Sequence, residues 1–373
     1  MPQGTVAPGF EAVAAELEQI LGESAGCGAA FAALVDGRPV VDVWGGAADG
    51  EAGVPWGEDT LQLIFSGTKG LVAVCLLMLV ERGALELEAP VSRYWPEFAA
   101  AGKSEVTVAQ VASHTAALPG LRDGFSADDL LDPVGMEELV AAEAPFWEPG
   151  TKLAYHALTY GWLCDGLVRR VDGRSAGRFF ADEVAGPLRL ELWIGLPPEH
   201  EARVARLVPA PDYGITYLGD GPEPLLEAVY GELVTRPGPW NEPAFHAAEI
   251  PAANAIGSAR SIARLYGCLA SGGAPLLSEE TVRLGRTELS RGPCAITRRP
   301  YAYGVGFELQ TELAAFGAAP DAFGHTGSGG SVHGAWPAER VGFSFAINEL
   351  QPEARDRRAR RLLAALAEGL SRR

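Results

Sequence analysis

Two residues with the chemistry of a nucleophile and a base stand one helical turn apart in this chain. Ser66 and Lys69 occur in the segment LIFSGTKG, residues 63–70. Positions i and i+3 share a helix face, so the hydroxyl and the amine can touch. The apolar run 71–80 that follows predicts a buried helix, and burial lowers the pKa of a lysine because it disfavours the charged form. A neutral Lys69 could accept the serine proton near neutral pH, although the S-x-x-K spacing alone fits a chance pattern equally well.

The elements that would position this pair are strands at both ends of the chain and helices between them. Alternating or continuous apolar residues predict strands, which cover residues 29–35, 39–44, 303–309, 331–336 and 342–348. Periodic apolar residues predict helices, which cover 10–21, 66–80, most of 85–285 and 359–370. This order predicts an α+β fold in which both termini build one antiparallel sheet that helices cover.

The same pattern predicts how the chain is divided. We expect a single catalytic domain over residues 1–373, with an α/β subdomain formed by 1–80 and 286–373. Residues 81–285 would form a mostly helical subdomain.

The arginines of segment 355–361 are interpreted as a solvated helix face, because nucleic acid would be repelled by an acidic protein.

The longest stretch without clear periodicity runs from 208 to 251. A loop of that length is usually functional or mobile. It carries five aromatic residues that would suit the wall of an apolar acyl pocket, and a packed surface excursion is an equal alternative. The aromatic residues are Tyr213, Tyr217, Tyr230, Trp240 and Phe245.

A second serine competes for the role of nucleophile. Ser24 lies in GESAG, residues 22–26, which matches the G-x-S-x-G elbow of α/β-hydrolases. That elbow requires a strand before the serine and a helix after it, whereas here the predicted helix comes first. We therefore interpret this segment as a helix end followed by a turn.

Several further motifs occur in an order that resembles a known family. SGTK at 66–69 matches an S-x-x-K element, and VTVAQVASHTAALPG at 106–120 matches a frequent helix and turn. WEPGT at 147–151 leads into YHALTYG at 155–161, a tyrosine element, and GHTGSGG at 324–330 matches the strand that carries K-T-G in lactamases. Over nearly its whole length the chain resembles serine hydrolases of the class C β-lactamase and penicillin-binding-protein superfamily, particularly the family VIII esterases.

The resemblance implies a β-lactamase-like fold and a role for each matching residue. Ser66 would attack an acyl carbonyl, and Lys69 together with Tyr155 would move its proton. Which of the two holds that proton belongs to the coupled pair and stays open. The backbone N–H groups of Ser66 and Ser328 would bind the oxyanion, each worth about 3 kcal/mol. Gly327 would permit close approach of the substrate, and His325 would contact it or shape the site.

Two departures from the family pattern bear on specificity. The usual Tyr-x-Asn has become Tyr155-His156-Ala157, and K-T-G has become His325-Thr326-Gly327. The missing asparagine normally contacts the substrate amide, and the missing lysine is the fixed cation that helps to hold a β-lactam carboxylate. Both changes favour neutral or weakly charged esters.

Composition and charge narrow the classes of partner. The net charge of −18 disfavours nucleic acid and anionic membranes, and the longest apolar run is too short to span a bilayer. Neither a secretory signal nor a metal or nucleotide motif is recognisable, so we expect a cytoplasmic enzyme without a cofactor.

Cys75 and Cys164, two of five cysteines, fall in apolar helical patterns and are expected to be reduced core residues.

These observations predict a serine hydrolase. We expect a carboxylesterase that cleaves small-molecule esters through an acyl-enzyme on Ser66. The same acyl-enzyme could pass its acyl group to an alcohol or amine, so a transacylase of small-molecule biosynthesis is the alternative. A catalytically inactive binding protein is a third reading, which the intact set of Ser66, Lys69 and Tyr155 disfavours.

Overall fold

A large antiparallel sheet built from both ends of the chain organises the molecule. The computed structural model describes residues 1–24, 26–213, 223–234, 239–353 and 355–372. Strand β14 (Val341–Ile347) pairs with β2 (Gly28–Val35) near the middle of the sheet and so joins its N-terminal and C-terminal halves. In spatial order the sheet contains β1 (Gln3–Val6), β3 (Arg38–Asp49), β2, β14, β13 (Val332–Trp336), β12 (Phe323–Thr326), β11 (Glu308–Leu309), β10 (Pro300–Tyr303) and β9 (Ser290–Pro293), with β4 (Val54–Pro55) beside β3.

The predicted N-terminal hairpin is confirmed, and its turn explains its register. Asp36 and Gly37 both adopt positive φ angles, 50° and 71°. A two-residue turn of this kind matches the right-handed twist of the flanking strands. The alternation of β2 and β3 then places Phe31 and Val43 on the buried face.

Helices cover both faces of the sheet. On one face α1 (Glu11–Glu23) and α12 (Arg358–Ser371) pack together over an aliphatic and aromatic core. On the other face α10 (Ala259–Ala270) lies against β2 and β14 through small residues. The remaining helices are α3 (Val108–Ala112), α4 (Pro133–Ala142), α5 (Thr159–Asp172), α6 (Ala176–Phe180), α7 (Gly186–Leu188), α8 (Glu223–Tyr230), α9 (Pro243–Ala247) and α11 (Glu279–Gly285).

Helix α2 (Thr68–Glu81) is buried on all sides. Every residue from Thr68 to Leu79 is buried, including Lys69. A helix that is apolar all round belongs in a core, as the sequence predicted. A small sheet of β5 (Gln62–Leu63), β8 (Ile256–Gly257) and β6 (Leu192–Trp193) lies at its N-terminal end. Within the described part of the chain, no helix is both long and apolar enough to cross a bilayer.

Two predicted elements were wrong in their extent. The predicted strand 303–309 is two strands, because β10 ends at Tyr303 and β11 begins at Glu308. The turn between them packs so closely that a Cβ on Gly306 (φ 77°) would lie 2.2 Å from the Tyr160 hydroxyl. The stretch 208–251 is not wholly irregular, since it contains α8, α9 and β7 (Val208–Pro209), which pairs with β15 (Glu349–Leu350).

The basic segment 355–361, where α12 begins, is only partly solvated, and one of its arginines is buried. Arg358 is 3% exposed, and its guanidinium pairs with Asp356 at 2.6 Å and with Glu349 at 2.8 Å. It also donates to the carbonyl oxygen of Gly329 at 3.0 Å. The prediction of a solvated arginine face was therefore wrong at this position, because two carboxylates and a carbonyl replace water.

We expect Arg358→Met to destabilise the protein by about 3 kcal/mol, because it leaves Asp356 buried without its partner. Urea unfolding monitored by circular dichroism would measure the loss. Arg357→Met is the matched control, since Arg357 is exposed and donates only to a backbone carbonyl. Equal effects of the two substitutions would contradict a structural role for the buried pair.

Candidate active site

Ser66 lies in a strained turn between β5 and α2. The preceding residue, Phe65, has a φ of 46°, a conformation that costs a non-glycine residue about 1–3 kcal/mol. The Thr68 hydroxyl stabilises this turn, because it donates to the Phe65 carbonyl at 2.6 Å and accepts from the Ala255 N–H at 2.8 Å. The turn holds the Ser66 side chain at the wall of a pocket, directly ahead of the first turn of α2.

Lys69, in the first turn of α2, contacts Ser66, as the i to i+3 spacing of the two residues predicted. Its Nζ lies 3.1 Å from Ser66 Oγ, 2.8 Å from the Ala157 carbonyl oxygen and 2.9 Å from that of Ala252. The side chain is fully buried, and this burial holds the pKa of Lys69 well below its usual range. The position where the family carries asparagine thus contributes a backbone carbonyl that holds the amine.

Tyr155 contacts the same serine from the pocket side. Its hydroxyl lies 2.7 Å from Ser66 Oγ, and burial raises the pKa of this phenol. Its ring stacks on Tyr301 at 5.8 Å between centroids and lies 6.3 Å from Tyr303. The structure therefore brings Ser66, Lys69 and Tyr155 together in one hydrogen-bonded group.

Two buried histidines fix the loop that carries Tyr155. His156 bonds the Ala154 carbonyl through Nδ1 at 2.6 Å and accepts from the Leu118 N–H through Nε2 at 3.1 Å. The backbone N–H of His156 donates to His114 Nδ1 at 3.0 Å. These bonds hold the backbone on either side of Tyr155, so both histidines have a structural role here.

Strand β12 and the turn after it form the opposite wall. Ser328 follows β12 at the rim of the pocket, and its Oγ lies 2.6 Å from the hydroxyl of Tyr213. No acceptor among the described residues takes the backbone N–H of Ser66 or of Ser328. Both residues line the pocket.

Gly327 is required by packing inside the protein. A Cβ at this position would lie 2.1 Å from Ser331 Oγ and 2.4 Å from the Ile64 carbonyl oxygen. Glycine lets the β12 turn approach the segment just before Ser66. The role of Gly327 in admitting the substrate stays a prediction, and Gly327 also belongs to the pocket wall.

His325 lines the pocket without a charge. Its side chain is 1% exposed, and burial lowers the pKa of the imidazole to about 3. At neutral pH it therefore supplies no fixed cation in place of the family's lysine. Nδ1 lies 2.8 Å from the Thr326 carbonyl oxygen, so Nδ1 carries the proton and Nε2 carries a lone pair.

Part of the 208–251 stretch does line the pocket. Tyr230 and Trp240 belong to its wall, and Trp240 packs edge-on against Phe65 at 5.6 Å. Phe245 supports Trp240 from behind at 6.1 Å. The expected Tyr217 lies outside the described residues. Both readings of this stretch hold in part, since some aromatics face the pocket and others pack beneath it.

The competing serine has a different environment. Ser24 caps the C-terminal end of α1 and donates to Glu349 Oε2 at 2.7 Å, with the strand β2 after it. This is the reverse of the order that a nucleophile elbow requires. Three further histidines have partners in the structure: His246 bonds Glu201 at 2.9 Å, His333 bonds Ser344 at 2.8 Å, and the ring of His200 lies 4.5 Å from that of Trp193.

Sequence reasoning missed several groups of the site. Glu308 lines the pocket from β11, and its Oε2 accepts from the N–H and the hydroxyl of Thr326 at 3.1 and 2.8 Å. The alternation Tyr301-Ala302-Tyr303 could have indicated that both rings share one face of a strand. The Ala252 carbonyl could not have been found, because a backbone acceptor has no residue type.

Comparison with known proteins identifies the family of this chain. The family model described as Beta-lactamase matches residues 13–368. The esterase/beta-lactamase LipL of Mycobacterium tuberculosis is 39% identical over 333 residues, which cover 86% of this chain and 76% of that protein.

Solved structures of similar proteins share the whole fold. A family VIII carboxylesterase superposes with a TM-score of 0.91 at 35% identity and covers 99% of this chain and 100% of that one. A penicillin-binding protein homologue from Caulobacter crescentus superposes equally well, at 0.91 and 34% identity with the same coverage. The expected α+β, β-lactamase-like fold is thereby confirmed, and the chain belongs to the Beta-lactamase family, among its serine hydrolases and esterases.

Proposed function

We propose that this protein is a carboxylesterase that hydrolyses small-molecule esters through an acyl-enzyme on Ser66. The observation that carries the proposal is the contact of Ser66 Oγ with both Lys69 Nζ at 3.1 Å and the Tyr155 hydroxyl at 2.7 Å. The esterase relatives named above support the choice of ester as substrate. Water is the acyl acceptor in this proposal, since hydrolysis needs no second binding site.

The contacts of Lys69 favour the neutral amine as the base. A neutral amine has two N–H groups, which the carbonyls of Ala157 and Ala252 accept, and one lone pair, which then faces Ser66. Burial lowers the pKa of Lys69 and raises that of Tyr155, so before the reaction the amine is free and the phenol is protonated. We propose this assignment for the choice that the sequence left open.

The proton movements then balance over one cycle. Ser66 attacks the carbonyl carbon while its proton passes to Lys69, and the N–H groups of Ser66 and Ser328 bind the oxyanion. When the tetrahedral intermediate collapses, Tyr155 gives its proton to the departing alcohol. In deacylation the Tyr155 phenolate takes a proton from water, and the Lys69 ammonium returns one to Ser66 as the acid departs.

Ser66→Ala should abolish the hydrolysis of short p-nitrophenyl esters, because no other group in the pocket replaces the nucleophile. Ser24→Ala is the control and should leave kcat/KM nearly unchanged, since Ser24 bonds Glu349 at the end of α1. Initial rates of p-nitrophenol release would measure both. Loss of activity in Ser24→Ala alone would refute the assignment of Ser66.

Lys69→Ala and Tyr155→Phe should each lower kcat by at least about a hundredfold, the lower end of general acid–base contributions. Since the two residues pass protons through the same serine, the double variant should be scarcely slower than either single one. Single-turnover kinetics of the four proteins would test this. Losses that multiply in the double variant would contradict a shared proton path.

Nitrocefin should be hydrolysed far more slowly than a p-nitrophenyl ester. The site lacks both the asparagine side chain at Ala157 and a cation at His325, whose imidazole is neutral. Steady-state rates of both substrates, measured on one enzyme preparation, would provide the comparison. Comparable kcat/KM values would mean that another group of this site binds the β-lactam carboxylate.

A further inference from the structure

The charges that line the pocket beside Ser66 are of one sign. Among the described residues of its wall, Glu308 and Glu353 are the charged ones. Glu353 pairs with Arg299, so its charge is largely balanced. Lys69 lies beneath Ser66 with its amine directed at two carbonyls and the serine. Glu308 is left as the carboxyl group of the pocket without a cationic partner among the described residues.

Glu308 keeps one oxygen available to a ligand. Both of its hydrogen bonds, from the N–H and the hydroxyl of Thr326, end on Oε2. No donor in the described part of the chain reaches Oε1. The side chain is only 8% exposed, and this burial raises the pKa of Glu308 to about 7, so a bound cation would favour its ionised form.

A second acceptor stands nearby without a donor. His325 Nε2 is buried, carries the lone pair of the neutral ring, and has no hydrogen-bond partner among the described residues. His325 and Glu308 are adjacent, since His325 Nδ1 lies 3.9 Å from Glu308 Oε2. Two acceptors that both lack donors match a ligand that brings N–H groups.

The aromatic wall suits the same ligand. The rings of Tyr155, Tyr301 and Tyr303 lie 5.7–6.3 Å apart along the side of the pocket. Tyrosine faces attract cations through the ring quadrupole, more strongly where water is excluded. An anionic ligand would be repelled by the Glu308 carboxylate and by the lone pair of His325 Nε2. Among the described residues of the pocket wall, no cation is present to bind it.

We propose that this pocket selects esters that carry a protonated amine, with Glu308 as its counter-ion and His325 Nε2 as a second acceptor. Glu308 is then the specificity-determining residue of the site. The proposal rests on the esterase function proposed above and names a substrate class for it. It also predicts that carboxylate-bearing substrates bind poorly.

Paired substrates that differ only in charge would test the proposal. The ethyl ester of alanine is compared with ethyl isobutyrate, in which a methyl group replaces the ammonium group. The ethyl ester of β-aminobutyrate is compared with ethyl isovalerate in the same way, with the amine one carbon further from the carbonyl. Acid release is followed in a pH-stat at pH 7, where the amines are mostly protonated.

For at least one pair we expect kcat/KM of the amine to exceed that of its isostere by about tenfold or more, the range of a charge-assisted hydrogen bond. Glu308→Gln, which keeps an oxygen for Thr326 but removes the charge, should lower this ratio by about tenfold. Glu339→Gln is the matched control on the exposed surface and should leave the ratio unchanged. Because both esters are measured on one preparation, the ratio does not depend on how much of a variant folds.

The possible failures are distinguishable. Hydrolysis of the isosteres without preference for either amine would overturn this inference and leave the esterase proposal intact. A preference that survives Glu308→Gln would overturn the role of Glu308. Absence of turnover for all four esters, with an active-site serine probe also failing to label Ser66, would overturn both proposals.

Discussion

The burial of one amine is the constraint on which the rest of the site depends. An ammonium group removed from water loses several kcal/mol of solvation, and the protein relieves this cost by favouring the neutral form. Lys69 lies in the first turn of α2, a helix buried from Thr68 to Leu79. The backbone carbonyls of Ala157 and Ala252 accept the N–H groups of its amine. In the mechanism proposed here, the same burial that makes Lys69 costly to charge lets its neutral amine act as the base.

The surrounding elements supply what a buried base needs. The loop before α5 brings the Ala157 carbonyl and Tyr155 to Lys69 and Ser66, and the segment before β8 brings the Ala252 carbonyl. Strand β12 completes the other wall, and Gly327 lets it approach the Ser66 turn. These contacts come from three segments that are distant in the chain, so the site forms only when those segments have packed together.

The sequence predicted the parts of the site that depend on local spacing or on recognisable motifs. Ser66 and Lys69 follow from one helical turn, and Tyr155 came from the family resemblance. The interaction of Glu308 with Thr326 was not predictable, because it depends on which strands pair across the turn between β11 and β12. The burial of Arg358 was not predictable, because the sequence does not reveal that Glu349 and the Gly329 carbonyl lie beside it.

The link from Arg358 to the Gly329 carbonyl has a consequence for the synthesis of the protein. Ser66 leaves the ribosome long before Arg358, yet the turn that carries Ser328 gains this buried contact only from α12. Helix α12 in turn needs α1, to which Arg361 ties it through Glu16. A nascent chain that ends before Arg358 therefore carries Ser66 and the Gln351 N–H that also bonds the Gly329 carbonyl, but it lacks the buried guanidinium contact to the turn of Ser328. This contact forms only after α12 has been synthesised.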